Sequence, residues 1–316
     1  MDSQKARSLV WLGEHTAYLP GGVNSGIIIN DNKEAVIIDT GLDSSSGNKI
    51  LRALEQEGIK PIAIANTHSH ADHFGGNATI LRKISLPVYA TLAESSNIQN
   101  PVFEPFYLYG ANPPKEMKSK FLMADSSIVS NIIDIEANTI NIKDIELKIF
   151  DFSGHSPGMI GIGYEEEALF LGDNLFPKAI VEKYPVIYCY DVEKTLSSLE
   201  KLMKLLINKQ DKVGEQYKYF VPAHGKPSEM PIEDIQVNVE AILKISEYIF
   251  SLIENPCSRE EIVSILFDKY GISENMPQYY LTSGSVGAHL TYLMDKDKVN
   301  SKIDKGILKF FRGVIV

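Results

Sequence analysis

The stretch THSHADHFGG, residues 67–76, holds three of the chain's seven histidines within six residues: His68, His70 and His73, with Asp72 among them. Imidazole nitrogens and a carboxylate at this density form a donor set suited to Zn2+, Fe2+ or Mn2+. The apolar run IAIAN leads into the motif as a strand, and on a strand His68 and His70 share a face. Asp72 and His73 fall past the strand end, where the turning chain can present both from another side. The remaining histidines repeat this placement. His155 stands in SGHSPG and His224 in PAHG, each carried by an apolar strand into a loop with Gly or Pro, and Asp173 in FLGDN follows the same rule. Five of the seven histidines thus occupy strand-end loops, where α/β folds build their sites; histidines used for packing would be scattered through the elements. Singly, each of these residues is a weak signal. HxHxDH followed by GHSPG, GDN and AHG is a specific one, and it reads as a metal centre. His15, in a loop before the first long strand, reads as a surface residue, and His289 as a structural one inside a C-terminal helix.

Alternating elements must hold these loops. SGIIIN and AVIID are short β-branched strands separated by the polar turn Asn30-Asp31-Asn32-Lys33, and VIIDTG ends at Asp39 and Gly41. Residues 44–57 form a serine-capped helix with Ile50, Leu51 and Leu54 on one face. Gly75 and Gly76 start another helix, NATILRKI, and have no side chain to keep it away from the site. LPVYAT is a further strand, so the chain alternates strand and helix as an α/β layered fold does. From about 95 to 124 the rhythm breaks: NPVFEPFYLYGANPPKEM carries four prolines and four aromatics. It reads as an irregular insertion (about 95–130 in all), serving as a lid, a pocket wall or a dimer contact, or as an aromatic loop packed on its own core. Strands resume with IIDIEAN, IELKIFDF, GMIGIGY and EALFLGDNLF, followed by a helix from about 192 to 207 and the strand KYFVPAHG. A long amphipathic helix spans about 232–253. SREEIVSILFDKYG opens on a capping box, Ser258 with Glu261, YLTSGSVGAHLTYLM is a second helix, and a hairpin turns at Lys305-Gly306. Together these last elements are winged-helix-like. The expected division is a catalytic domain over 1–231 and a small C-terminal domain over 232–316.

Composition narrows the function classes. A chain of 316 residues with 44% hydrophobic and 23% charged residues is ordinary for a globular protein, and a net charge of -10 argues against general nucleic-acid binding. Cys189 and Cys257 form no CxxC pair and no disulfide framework, which fits a reducing compartment. The first sixteen residues lack the apolar core of a signal peptide, and no apolar run is long enough to cross a bilayer, so a cytoplasmic location without membrane contact is expected.

In their order and spacing THSHADHFGG, GHSPG, GDNLF and AHG resemble the motifs of metallo-β-lactamase superfamily hydrolases, close to the glyoxalase II-like branch, over about residues 16–230. The resemblance implies a four-layer αββα sandwich with the site at one edge of two sheets. It implies that His68, His70 and His155 hold one divalent ion, that Asp72, His73 and His224 hold a second, and that Asp173 bridges them. Zn2+ is the first expectation, with Fe or Mn as alternatives. Asp39 would sit behind the ligands and orient histidines. Two ions sharing a bridging hydroxide suit hydrolysis of an ester, thioester or similar small-molecule bond, with Asp72 holding the hydroxide and receiving its proton. Phe106, Tyr107 and Tyr188 are candidates for the substrate pocket, with Tyr184 and Tyr190 nearby in sequence. The C-terminal region does not resemble the helical glutathione-binding region of glyoxalase II. Two alternatives share the motifs: a single-strand-specific endoribonuclease using the winged-helix-like tail, and a mononuclear iron persulfide dioxygenase. The tail's six Lys/Arg against three Asp in the last 22 residues give the RNA reading only a mild basic excess. A homodimer is compatible with the insertion and the tail.

Overall fold

The structure is a computed structural model and describes residues 8–211 and 216–313; the N-terminal segment read above for targeting lies partly outside them. The elements run β1 (Val10–Trp11), β2 (Thr16–Leu19), β3 (Ser25–Ile29), β4 (Glu34–Ile38), α1 (Ser44–Gln56), β5 (Lys60–Ala65), α2 (Ala71–Phe74), α3 (Asn77–Leu81), β6 (Val88–Thr91), α4 (Leu92–Gln99), α5 (Phe103–Tyr109), β7 (Asn131–Ile133), β8 (Thr139–Ile142) and β9 (Ile145–Asp151). The chain continues through β10 (Ile160–Tyr164), β11 (Ala168–Phe170), α6 (Lys178–Lys183), α7 (Val192–Asp211), β12 (Tyr219–Val221), α8 (Ile232–Leu252), α9 (Arg259–Tyr270), α10 (Met276–Asp295), β13 (Val299–Asp304) and β14 (Ile307–Arg312).

Seven strands form one sheet in sequence order, β1 to β7, antiparallel as far as β4 and parallel from β4 to β7. The second sheet has the order β12-β11-β10-β9-β8, with only β11 and β12 parallel. The sheets pack face to face. Ile28, Val36, Ile38 and Ala65 from the first meet Leu147, Ile160, Ile162 and Phe170 from the second in one apolar core. The outer face of the first sheet is covered by α1 and α3 through Ile50, Leu54 and Ile80, and that of the second by α7 and α8 through Leu199, Leu202, Ile235 and Ile242. These are four layers, αββα. Because the central strands have neighbours on both faces, β3 and β10 are buried at every position, which is why they read as continuous apolar runs.

α8 is shared. Its first half packs on the second sheet, while Ile245, Ile249 and Ile253 join α9, α10 and the β13-β14 hairpin in a separate C-terminal core. The capping box at α9 forms as expected: the Glu261 N–H donates to Ser258 Oγ at 3.2 Å, and the Ser258 N–H donates to Glu261 Oε2 at 2.7 Å. No helix among the described residues is long and apolar enough to cross a membrane.

The stretch expected to be irregular over 95–124 is instead helical in pieces: α4, α5 and a 3-10 turn at Lys115–Lys118. Pro105 is the third residue of α5, in the first turn where no intrahelical N–H is needed, so proline does not prevent the helix. Gly110, in the left-handed region at φ 79°, ends it.

Candidate metal centre

The loops that carry the motifs meet at one edge of the two sheets. β5 ends at Ala65, so His68 and His70 lie beyond the strand, and their convergence is not the work of the pleat expected above. Long-range bonds shape the loop instead. Thr67 C=O accepts from the Ile160 N–H of the second sheet at 3.0 Å, and the Thr67 N–H donates to Asp39 Oδ1 at 2.8 Å. Gly75 and Gly76 matter through close approach: a Cβ on Gly75 would lie 2.0 Å from Leu42 O, and one on Gly76 2.4 Å from Thr40 O. Both glycines let the first helical turns after the motif pack against the loop that follows β4.

Three imidazole nitrogens converge from two loops. His70 Nδ1 lies 3.1 Å from His68 Nε2 and 2.9 Å from His155 Nε2. Beside them, His73 Nε2 lies 3.9 Å from Asp72 Oδ1, and His224 Nε2 lies 3.7 Å from Asp72 Oδ2. Asp173 stands between the two groups. Its Oδ1 faces His73 Nε2 at 3.4 Å and His224 Nε2 at 3.5 Å, and its Oδ2 faces His155 Nε2 at 3.5 Å. The donor atoms within each of the sets His68/His70/His155, His68/His73/Asp173 and Asp72/His73/His224 are mutually close enough to hold a metal ion.

The outward nitrogen of four of the five rings is already engaged. His73 Nδ1 pairs with Asp39 Oδ2 at 2.8 Å, His155 Nδ1 with Tyr188 O at 3.1 Å, and His224 Nδ1 with Gly22 O at 2.8 Å. Thr67 Oγ1 donates to Asp39 Oδ2 at 2.6 Å, leaving its lone pair for the His68 Nδ1–H at 3.1 Å. An outward N–H fixes the tautomer and leaves Nε2 as a lone pair aimed inward. His73 Nε2 and Asp173 Oδ1 are buried without a hydrogen-bond partner among the described residues. An orphaned donor-acceptor pair of this kind is costly in a protein interior, and a divalent cation between the ligand sets satisfies both atoms. The residues fit a metal centre.

Charge and burial set the titration of the metal-free cluster. Burial, then neighbouring histidines, holds His68 and His70 well below the ordinary imidazole range, and burial lowers His155. Burial also opposes the charged form of His73, but Asp173, Asp39 and Asp72 outweigh it and hold its pKa well above the ordinary value. Burial is likewise outweighed at His224, which Asp173 raises, and at Asp173, which His73 and His224 hold well below the usual carboxylate range.

The wall of the centre is aromatic. The Tyr188 ring stands edge-on to His70 and His155, each at 5.6 Å between centroids, and Phe176 stacks on His224 at 5.9 Å. Tyr107 from α5 stands near Tyr188 and Glu104, and loss of solvent around its hydroxyl, then Glu104, raises its pKa. Phe106, on the same helix, is about half exposed, and so is Tyr190. Tyr184, Val186 and Tyr188 join Phe176 and Val181 around an apolar cavity of about 160 Å3. Two carboxyls behind this wall had no signal in the composition. Glu104 in α5 is buried, and burial, then Asp72 and Glu94, push its pKa well up. Glu94 opens α4. Position alone could have drawn attention to Glu94, since it follows the C-terminal end of a parallel strand. His15 stays outside the centre, near Asp31, Glu165 and Glu167, and His289 is buried in α10 against Ser246, as expected of a structural residue.

The sequence matches the description of the Metallo-beta-lactamase superfamily over residues 18–210, more than half of the chain. The chain belongs to the metallo-β-lactamase superfamily. The superfamily is one of metal-dependent hydrolases, and two similar proteins carry hydrolase names. A hydroxyacylglutathione hydrolase from Nitrosomonas europaea is 27% identical over 178 residues, 56% of this chain and 53% of that protein, and a probable metallo-hydrolase from Bacillus subtilis is 25% identical over 52% of this chain and 67% of its own length. The chain therefore spans about half the length of the hydroxyacylglutathione hydrolase it matches. Among solved structures, a beta-lactamase domain protein from Burkholderia ambifaria superposes with a TM-score of 0.70 at 17% identity, covering 99% of this chain and 96% of that one. A metallo-beta-lactamase family protein from Thermus thermophilus gives 0.68 at 18% identity, covering 97% and 99%. Both cover the C-terminal helices and hairpin as well as the sandwich, and at these identities the likeness is one of fold.

Proposed function

We propose that this metallo-β-lactamase superfamily protein hydrolyses a small-molecule ester or thioester at a two-ion centre. The supporting observation is the pair of three-donor sets flanking Asp173, whose two carboxylate oxygens face opposite sets. In this reading His68, His70 and His155 would hold one divalent ion and Asp72, His73 and His224 the other, with Asp173 within reach of both. Zn2+ suits the imidazole-rich donors. Ions bound there supply Lewis acidity toward the substrate carbonyl and lower the pKa of the attacking water.

The chain's own residues do the rest. Asp72, with a third of its side chain exposed, is the carboxylate at the open side of the centre and takes the proton of the attacking water. Asp39 and the Gly22 and Tyr188 carbonyls hold the imidazoles in the tautomer that leaves Nε2 free. Tyr188 and Phe176 keep water from the acyl side, and the apolar cavity behind them suits an aliphatic or aromatic acyl group. The sandwich of the expected catalytic domain carries the chemistry in this reading, and the first half of α8 covers the outer face of its second sheet.

The test is metal analysis of protein purified without chelator, joined to assays on thioesters, carboxylic esters and phosphodiesters. Two divalent ions per chain and thioester or ester turnover, both lost in Asp173→Ala, are the expected results. A single iron with oxygen consumption on a persulfide substrate would replace this reading with the dioxygenase one, and turnover confined to phosphodiesters would replace it with the nuclease one.

A further inference from the structure

Glu94 lies in the first turn of α4, is 1% exposed, and takes no part in the donor sets described above. Its carboxylate joins the two loops that carry the first set. Oε2 accepts from the Ser69 N–H at 2.9 Å and from the Ser69 hydroxyl at 2.5 Å. Oε1 accepts from the Ser156 hydroxyl at 2.8 Å and from the Gly158 N–H at 2.7 Å. Ser69 separates His68 from His70, and Ser156 follows His155. The neighbouring contacts tighten the same joint: Asn97 Nδ2 donates to Ser69 Oγ at 3.2 Å, and Thr91 Oγ1 donates to Gly158 O at 2.8 Å. Position 158 must be glycine for this approach, since a Cβ would lie 2.5 Å from Thr91 Oγ1 and 3.0 Å from Ala93 Cβ.

Four donors surround the Glu94 carboxyl group, two to each oxygen, so each oxygen ties down one loop. Asp72, His73 and His224 are held by other means: by Asp39, by Gly22 and by their own turn.

We infer that Glu94 is a positioning residue specific to the first ligand set: it locks the His68–His70 loop to the His155 loop, so that three imidazoles from two loops meet at one point. The inference rests on the two-ion reading above.

The isosteric variant Glu94→Gln is a sharp probe. Each carboxylate oxygen receives one hydroxyl, which can turn and accept, and one backbone N–H, which can only donate. Either orientation of the amide therefore sets its NH2 group against a backbone N–H, and one of the two loops loses its anchor. Zn2+ affinity is measured by competition with a chromophoric chelator in two backgrounds: His224→Ala, which preserves the first set, and His70→Ala, which preserves the second. Glu94→Gln is expected to weaken Zn2+ about 10- to 100-fold in the first background and to leave the second unchanged. Ser156→Ala, which removes one bond of the four, is expected to act in the same direction by about 3-fold, and decides the matter if Glu94→Gln does not fold. Equal weakening in both backgrounds would reduce Glu94 to general structural support and overturn the inference; so would no change in either. If the unaltered protein binds no Zn2+, the two-ion reading itself fails, and this inference with it.

Discussion

Asp39→Asn alters one atom at the base of the centre and tests how the imidazoles are held. Asp39 sits in the left-handed region at φ 56°, which Asn adopts as readily as Asp, so the backbone carries no new strain. In the native site Oδ1 accepts from the Thr67 N–H at 2.8 Å, while Oδ2 accepts from Thr67 Oγ1 at 2.6 Å and from His73 Nδ1 at 2.8 Å. The Thr67 N–H can only donate, so the Asn carbonyl stays on that side and the NH2 group faces the hydroxyl and His73. The hydroxyl can rotate to accept. His73 can meet the new donor only with an unprotonated Nδ1, which moves its proton to Nε2, the atom 3.4 Å from Asp173 Oδ1. A protonated Nε2 cannot bind a cation. Loss of an outer partner of this kind costs about 10- to 100-fold in metal affinity, equivalent to about 1.4–2.7 kcal/mol. Two charge-assisted bonds also become neutral ones, and the metal-free fold is expected to lose about 1–3 kcal/mol. Zn2+ affinity is measured in the His70→Ala background, the tautomer by 15N NMR of the His73 ring, and stability by urea unfolding. Native affinity together with an unchanged Nδ1–H tautomer in Asp39→Asn would refute the reasoning.

Two further perturbations follow from the packing. Gly75→Ala puts a Cβ 2.0 Å from Leu42 O and 2.7 Å from Ala71 O, all backbone atoms that cannot swing away, so it is expected to cost about 3 kcal/mol or more in thermal unfolding of the metal-free protein; a melting temperature unchanged from wild type would contradict the close approach. His289 has its pKa lowered by burial from the ordinary 6.5 to about 4, so the folded state resists a proton that the unfolded chain accepts. Stability is therefore full above about pH 6.5, falls as the pH drops toward about 4, and levels off below that, a total of about 3 kcal/mol. His289→Gln removes this component, and the difference between the two proteins' urea-unfolding free energies at pH 7 and pH 4.5 measures it; identical pH dependence would show that His289 is not held neutral.

The metal-centre candidates are legible because each depends on a few adjacent residues. His68, His70, Asp72 and His73 sit in one decapeptide, and His155, Asp173 and His224 each follow a strand into a Gly- or Pro-containing loop. Local chemistry also announces the Ser258–Glu261 capping box and the hairpin at Lys305-Gly306, which form within three to six residues of chain. The helical pieces between 95 and 124 are hidden in the sequence because proline reads as a breaker where, at the third position of α5, it is harmless.

What only the tertiary structure decided are the relations between distant segments. Periodicity puts His68 and His70 on a strand, but β5 stops at Ala65 and bonds from Asp39, Ile160 and Glu94 shape the loop instead. Glu94 itself carries no motif: its partners lie 25 residues away at Ser69 and 62 away at Ser156. Sequence alone thus determined which side chains are able to bind metal, since ligand chemistry belongs to the residue. Folding decided which nitrogen of each ring faces inward and which loop is tied to which, because those depend on groups that meet only when the two sheets close on one another.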